Sequence, residues 1–285
     1  MQLIVELIKS LLLGIIQGIT EWLPVSSTGH LILFNEFFPL KETSEAFMSM
    51  FEVVIQLGSI LAVVVIYFSR LNPWSKKKSP AENSYTLKMW GKIIVAVLPA
   101  AVIGLLFDDV IDQYLSNFVV VAITLILYGV AFIVIERTRS KTPFRIEKPE
   151  DIDMKTALLI GMFQVLALIP GTSRSGATIV GAMLLGVSRT AAAEFSFFLA
   201  VPVMFGASGL RGLKYVAEVA TGETEMFGTT ELLVLLVGTI TAFLVSLAVI
   251  RFLVGFVRRH SFESFGWYRI ALGAVVILYF LFVHQ

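Results

Sequence analysis

Two short stretches of this sequence combine proline, glycine, hydroxyl side chains and a charge in a way that suits phosphate chemistry. The first contains Pro24-Val25-Ser26-Ser27-Thr28-Gly29-His30, preceded by Gln17 and Glu21; the second is Pro170-Gly171-Thr172-Ser173-Arg174-Ser175-Gly176. In each, proline ends an incoming helix and the hydroxyl residues can cap the next one. That leaves unpaired N–H groups at the positive end of a helix dipole, where phosphate is attracted. Arg174 adds a planar guanidinium whose paired donors match two phosphate oxygens. Two anion sites facing each other suggest a diphosphate. If the outgoing helix starts near Ser27, His30 lies on the same face three residues on, within reach for nucleophile activation or leaving-group protonation. Gln17 and Glu21 are likewise one turn apart. The candidate catalytic residues are therefore Ser27, His30, Glu21 and Arg174, and the candidate substrate-binding residues are Ser26, Thr28, Thr172, Ser173, Ser175 and Gln17. The plainer reading, in which Ser, Thr and Gly serve only as caps and close helix packing, is weakest for Ser27 and Arg174.

These residues sit in a chain built for lipid. Of its 285 residues 57% are hydrophobic and 15% charged, against about 45–50% and about 25% in a soluble domain. The apolar residues form long blocks, Phe51–Phe68, Ile93–Phe107, Phe118–Ile135, Phe195–Leu210, Leu232–Ile250 and Trp267–Val283, each near the length that crosses about 30 Å of hydrocarbon. Six transmembrane helices are expected. Two further stretches, Leu11–Pro39 and Ala157–Leu185, are interrupted by the two motifs and read as re-entrant helical hairpins. A charge at the bilayer centre costs about 2.5–3.5 kcal/mol on insertion scales, so Glu21 and Arg174 need polar company. Non-helical backbone at that depth must be buried in protein or line a wet cavity. Both demands are met if the motifs face each other across one pocket.

The two interrupted stretches align with a one-residue gap, Gly14 with Gly161, Gln17 with Gln164, Pro24 with Pro170 and Ser27 with Ser173, and the following blocks recur about 145–150 residues on. The expected fold is thus an all-α polytopic membrane protein, one integral domain over residues 1–285, with repeat 1 at about 1–140 and repeat 2 at about 150–285. Each repeat holds a hairpin and three crossings. An odd number of crossings inverts the second copy. Of 22 basic residues, 17 fall in loops on one side, including Lys76–Lys78, Arg137–Lys148 and Arg269, and 4 on the other, namely Lys9, Lys41, Arg211 and Lys214. Short basic loops stay cytoplasmic, so both termini are expected outside, with the pocket opening outward on the side from which the first hairpin enters. Glu52 and Glu194 open crossings and read as interface markers. The start of the chain lacks a basic region and cleavage site of the signal-peptide kind. There is no cysteine, and no Rossmann, Walker or HExxH fingerprint appears, which argues against nucleotide chemistry and thiolate metal sites.

Gln17-Gly18-Ile19-Thr20-Glu21-Trp22-Leu23-Pro24-Val25-Ser26-Ser27-Thr28-Gly29-His30 and Pro170–Gly176 together resemble the undecaprenyl-diphosphate phosphatase family of bacteria, also called the bacitracin-resistance family. The likeness continues through Phe51–Ile60, Gly186-Val187-Ser188-Arg189 and Glu194-Phe195-Ser196-Phe197, over essentially the whole chain. It implies an inner-membrane enzyme that hydrolyses undecaprenyl diphosphate to the monophosphate and inorganic phosphate, recycling the lipid carrier for peptidoglycan and conferring bacitracin resistance. It makes Ser27 the nucleophile, His30 its acid/base partner, Arg174 the phosphate clamp and Glu21 an orienting or metal-associated carboxylate. The family pattern allows a glutamate where Gln17 stands, so Glu21 is the only carboxylate of that motif here. Magnesium or calcium is the expected cofactor, held through substrate oxygens and water. The expected partners are the polyprenyl diphosphate and membrane lipids, with a homodimer left open and no nucleic acid. A lipid-phosphate flippase or anion transporter using the same midplane site is the rival reading, because inverted repeats with broken helices are a transporter architecture.

The charge bias gives a first test. The chain has no native cysteine, so single cysteines can be introduced without background. An impermeant thiol reagent applied to intact cells is expected to label a cysteine at Glu223 and spare one at Lys77; the reverse pattern would invert the topology.

Overall fold

The computed structural model describes residues 2–40, 45–115, 117–139 and 143–283. Lys41 and Lys141, each assigned above to a loop, lie outside the described residues. Every regular element among the described residues is helical apart from one isolated bridge between Ile146 and Val187. In chain order the helices are α1 (Gln2–Thr20), α2 (Ser27–Phe37), α3 (Glu45–Ile66), α4 (Phe68–Leu71), α5 (Pro80–Leu115), α6 (Phe118–Arg139), α7 (Met154–Val165), α8 (Arg174–Leu184), α9 (Arg189–Thr221), α10 (Thr229–Val257) and α11 (Glu263–Val283). Large apolar side chains such as Ile4, Leu105, Leu127, Leu213 and Phe252 point outward from several of them, which is stable only in a lipid solvent.

Seven helices, α1, α3, α5, α6, α9, α10 and α11, are long and apolar enough to cross a membrane. Six correspond to the six blocks expected from the sequence; five enclose theirs whole, and the block Phe51–Phe68 runs past the end of α3 through a turn at Tyr67 into α4. The seventh is α1, expected as half of a re-entrant stretch starting near Leu11. It begins nine residues earlier because Leu3, Ile4, Val5, Leu7 and Ile8 extend the apolar helix toward the N-terminus. In the second interrupted stretch α7 has 12 residues, gives way to a 3-10 turn at Leu166–Leu168, and is followed by the 11-residue α8. Pro99 and Pro202 lie inside α5 and α9, where neighbouring helices can re-satisfy the freed carbonyls.

The halves interlock. α1 packs along α10, running parallel to it: Ser10 donates to the Val234 carbonyl, and a side chain at Gly14 or Gly18 would meet α10 at Gly238 or Ala242. α7 packs along α5 in the same sense, with Gly91 near Met154, Gly161 against the Ala96 backbone and Gly104 near Leu168. α3 and α9 run antiparallel, tied by Ser208 to the Val53 carbonyl at one end and Arg70 to Glu194 (2.8 Å) at the other. α6 and α11 also run antiparallel, with Gly129 against Gly266 and Gly273 against Ala122. Small residues let these backbones approach closely. At the ends carrying Arg70 and Arg189, ion pairs join Arg70 to Glu150 and Glu194, and Arg189 to the buried Glu136.

The closest approaches are the least tolerant of change. A Cβ at Gly161 would collide with the Ala96 carbonyl oxygen, whereas one at Gly209 of α9 would meet nothing within 4 Å. Gly161→Ala is expected to destabilise by about 1–3 kcal/mol through overpacking and to lower the unfolding temperature in detergent. Gly209→Ala should leave that temperature unchanged or slightly raised, since alanine favours helix. Equal stability of the two variants would show that the α5–α7 contact can relax.

Candidate functional site

The site is built where the chain leaves helix twice. Between α1 and α2 the backbone turns through Glu21–Val25; between α7 and α8 it turns through Ile169–Thr172. Each outgoing helix is capped by a serine with positive φ: Ser26 (φ 72°) accepts from Gly29 N at 3.3 Å, and Ser173 (φ 72°) accepts from Gly176 N at 3.2 Å. Non-glycine residues in this region cost about 1–3 kcal/mol and persist only where their surroundings fix them. The caps also correct the alignment. Ser26, not Ser27, corresponds to Ser173, at the same offset that relates Gly14 to Gly161 and Gln17 to Gln164, so no gap is needed. Ser27 and Arg174 then hold the same position, the first residue of α2 and of α8.

Glu21 is the hub of the two loops. Its Oε2 accepts from the Ser27 hydroxyl at 2.9 Å and from Gln17 Nε2 at 3.0 Å, and its Oε1 accepts from Arg174 Nη2 at 3.3 Å. The carboxylate is buried, and the Arg174 side chain is 11% exposed. Arg174 is braced on its other side by Nη1 donating to the Ser196 carbonyl at 2.8 Å, while its Nε–H meets no partner among the described residues. Ser175 donates to the Glu21 backbone carbonyl at 3.3 Å and lies 3.1 Å from the Ser173 hydroxyl. Thr172 is fully buried, with its hydroxyl oxygen unpaired among the described residues. A cavity of 570 Å³ opens onto Glu21, Ser27, Thr28, Ser173 and Arg174. Its other walls are mostly apolar, from α5, α9 and the end of α7, including Val97, Ala101, Leu168 and Val203. Gln17, Ser26, Thr172 and Ser175 do not line it and act on the loops' shape.

His30 is not brought to Ser27. Its Nδ1 lies 2.7 Å from the Ser26 carbonyl, which can only accept, so Nδ1 carries the proton; Nε2 then accepts from the Tyr268 hydroxyl at 2.6 Å. The ring stacks on Tyr268 and borders a separate, apolar cleft formed with Ile16, Leu23 and Phe265. With its lone pair engaged and Ser27 bonded to Glu21, the group placed to take the serine proton is the carboxylate. The coupling of Ser27 with His30 expected from their three-residue spacing is therefore replaced by Ser27 with Glu21. The cause is local: the histidine bonds back to the carbonyl four residues earlier, as side chains near a helix start often do.

Arg269 was counted from the sequence among the loop charges, but it is fully buried at the centre. Its guanidinium donates to the carbonyls of Pro24 (3.1 Å), Gly171 (2.8 Å) and Thr172 (3.0 Å), and more weakly to those of Leu125 and Thr124. It thus joins both non-helical loops to α6 and α11. The signal was a lone arginine inside the apolar block Trp267–Val283. The sequence reading also left out Gln56 and Gln164, which line the cavity. Among the described residues no group of three or more His, Cys, Asp or Glu could hold a metal ion. Glu21 already accepts three hydrogen bonds, so these residues do not form a protein cage for magnesium or calcium, and no step below runs through a metal.

The family model described as bacitracin resistance protein BacA matches residues 10–275. An undecaprenyl-diphosphatase of Enterococcus faecalis is 54% identical over 280 residues, 98% of this chain and 99% of that protein. One from Acetivibrio thermocellus is 54% identical over 279 residues, 98% of this chain and 99% of that protein, and one from Streptococcus thermophilus is 52% identical over 278 residues, 98% and 94%.

The position of Arg269 makes a stability test. Arg269→Met keeps an unbranched side chain but strands the Pro24, Gly171 and Thr172 carbonyls, at about 1–3 kcal/mol for each buried group left unpaired. The variant is expected to unfold at a much lower temperature in detergent, with Arg269→Lys intermediate because an ammonium has fewer donors. A methionine variant as stable as the parent would show that the loops keep their shape unaided.

Proposed function

Since the chain belongs to the bacitracin resistance protein BacA family, we propose that it is a membrane phosphatase that hydrolyses undecaprenyl diphosphate to undecaprenyl phosphate and inorganic phosphate. The observation that carries this reading is the Ser27 hydroxyl donating to the buried Glu21 carboxylate beside Arg174, at the polar end of an otherwise apolar cavity. A hydroxyl is a weak nucleophile until a base takes its proton. As the Ser27 oxygen attacks the terminal phosphorus, Glu21 receives that proton, the bond from phosphorus to the bridging oxygen breaks, and the lipid monophosphate leaves. Glu21 passes its proton to the departing monophosphate, and the freed carboxylate then takes a proton from the water that attacks the phosphoserine; the bond from phosphorus to Ser27 Oγ breaks, Ser27 recovers that proton and inorganic phosphate departs. The Arg174 guanidinium and the first-turn N–H groups of α2 and α8 stabilise the charge that builds on the phosphoryl oxygens. A divalent cation, if bound, would neutralise charge on the diphosphate, and no residue role above depends on it.

The apolar walls suit a polyprenyl chain. Ala101 and Leu105 of α5 and Leu210 of α9 lie in the halves of those helices that the charge bias puts outside, with Val97 and Val203 near their middles, so the cavity is read as opening to the periplasm, with both termini on that side. The antiparallel pairs α3/α9 and α6/α11 support an inverted repeat. The reaction regenerates the carrier for peptidoglycan synthesis and accounts for bacitracin resistance. A flippase would need the anion site but no hydroxyl bonded to a carboxylate base.

Purified protein in detergent is expected to release phosphate from undecaprenyl diphosphate, and its failure to do so would sink the phosphatase reading. Ser27→Ala and Glu21→Gln should each lose about a hundredfold or more, and the double variant little more than either, because groups acting as a unit are non-additive. His30→Gln should lose less, and its loss should multiply with that of Ser27→Ala. If Ser27 instead proves non-additive with His30 and additive with Glu21, histidine is the base.

A further inference from the structure

One side chain at the polar end of the cavity has no part in the reaction described above. Gln164, on the last turn of α7, is 2% exposed and lines the cavity, and neither its Nε2 nor its Oε1 meets a partner among the described residues. Buried amides are normally hydrogen-bonded, because leaving one unmet destabilises the fold. A group that breaks this rule calls for an explanation, such as a bound water or a functional role, and of the unmet amides Gln164 is the one on the cavity wall beside the motifs.

The repeat explains how the amide came to be free. Gln17, its counterpart on α1, donates Nε2 to Glu21 one turn on. One turn on from Gln164 the chain has Leu168, which offers no acceptor. The same backbone position thus supplies a donor in both halves, used up within the protein in one and unspent in the other. On the cavity wall Gln164 is followed by Ala167 and Leu168, so it stands where the polar end meets the apolar part. Ser27, Glu21 and Arg174 are occupied with the terminal phosphoryl group.

We propose that Gln164 binds the lipid-linked phosphate of the substrate, donating its amide N–H to that phosphate's non-bridging oxygens and so placing the leaving group between the reacting serine and the polyprenyl chain. This rests on the phosphatase reading and adds a residue that sets which phosphate goes where. The amide is neutral, so it holds the leaving phosphate without adding a second fixed charge to compete with Arg174 for the terminal one.

Gln164→Leu tests it, because leucine is close in size and removes the unmet polar atoms. The purified variant is expected to unfold at the same temperature as the parent or higher, while kcat/KM for undecaprenyl diphosphate falls about tenfold, the effect of one hydrogen bond to a charged group. Inhibition by undecaprenyl phosphate should weaken by a similar factor, and inhibition by inorganic phosphate should not change. Gln164→Met, unbranched and flexible, gives the same readouts if leucine does not pack. Unchanged kcat/KM overturns the proposal, as does a loss of activity that simply follows a loss of stability. Weakened inhibition by inorganic phosphate alone would move Gln164 to the terminal phosphate and overturn it too. A parent protein that releases no phosphate fails the phosphatase reading instead, whereas an active parent with an unaffected variant fails only the role given to Gln164.

Discussion

Hydrocarbon offers backbone carbonyls nothing to bond to, and this chain breaks helix twice near the middle of its span. The carbonyls freed at Pro24, Gly171 and Thr172 are satisfied by the guanidinium of Arg269, reaching in from α11. Arginine suits the task because its donors spread in a rigid plane and stay charged in almost any surroundings. Its bonds go to neutral carbonyls, and no carboxylate pairs with it among the described residues. Its charge is therefore met only by these carbonyls and by the ring of Tyr128, over which it lies at 5.6 Å. The same device that lets non-helical backbone exist in the bilayer makes that point attractive to a diphosphate.

Local rules are broken in the same few residues. Ser26 and Ser173 hold left-handed φ values that favour glycine, Arg174 Nε–H is unmet, and Gln164 has no partner. Around them the packing is conventional, with α1 on α10, α5 on α7, and a core of buried Phe, Ile and Ala side chains between α3, α9 and α10. Rigid surroundings keep the strained turns from relaxing, and the turns in return hold Ser27 and Arg174 on opposite sides of one carboxylate.

The crossings were legible in the sequence because lipid selects for long apolar blocks, and five of the six expected blocks lie within single helices, the sixth, Phe51–Phe68, running past the end of α3 into α4. The extent of α1 was not, since its first turns carry Glu6 and Lys9, which pair with each other, and so look less like membrane than they are. Of the residues that the motifs single out, five, Glu21, Ser27, Thr28, Ser173 and Arg174, face the cavity. Their partnerships could not be read. Helical periodicity put His30 near Ser27, but the path of the loop at Glu21–Val25, which periodicity does not describe, brings the carboxylate to the serine and leaves the histidine to Tyr268. Arg269 escaped for a related reason: sorting charges by loop treats an arginine near a helix start as snorkelling to the interface, and only the fold reveals carbonyls waiting for it inside.

Aligning the two motifs on their capping serines, Ser26 and Ser173, sets like backbone against unlike side chains. Positions that correspond carry different chemistry: Ser27 against Arg174, Glu21 against Leu168, while Gln17 and Gln164 are alike but only the first has an acceptor beside it. Backbone features recur, namely the capping serine, its left-handed φ and the glycine three residues later, because both loops face the same problem of re-entering helix in the bilayer. Side chains diverge because a lipid diphosphate has a terminal phosphate to be attacked and a lipid-linked phosphate to be released. Two identical anion sites would bind it equally well in either direction. A serine bonded to a carboxylate in one motif and a guanidinium in the other make the polar end of the cavity unsymmetric, while the walls from α5 and α9 are mostly apolar.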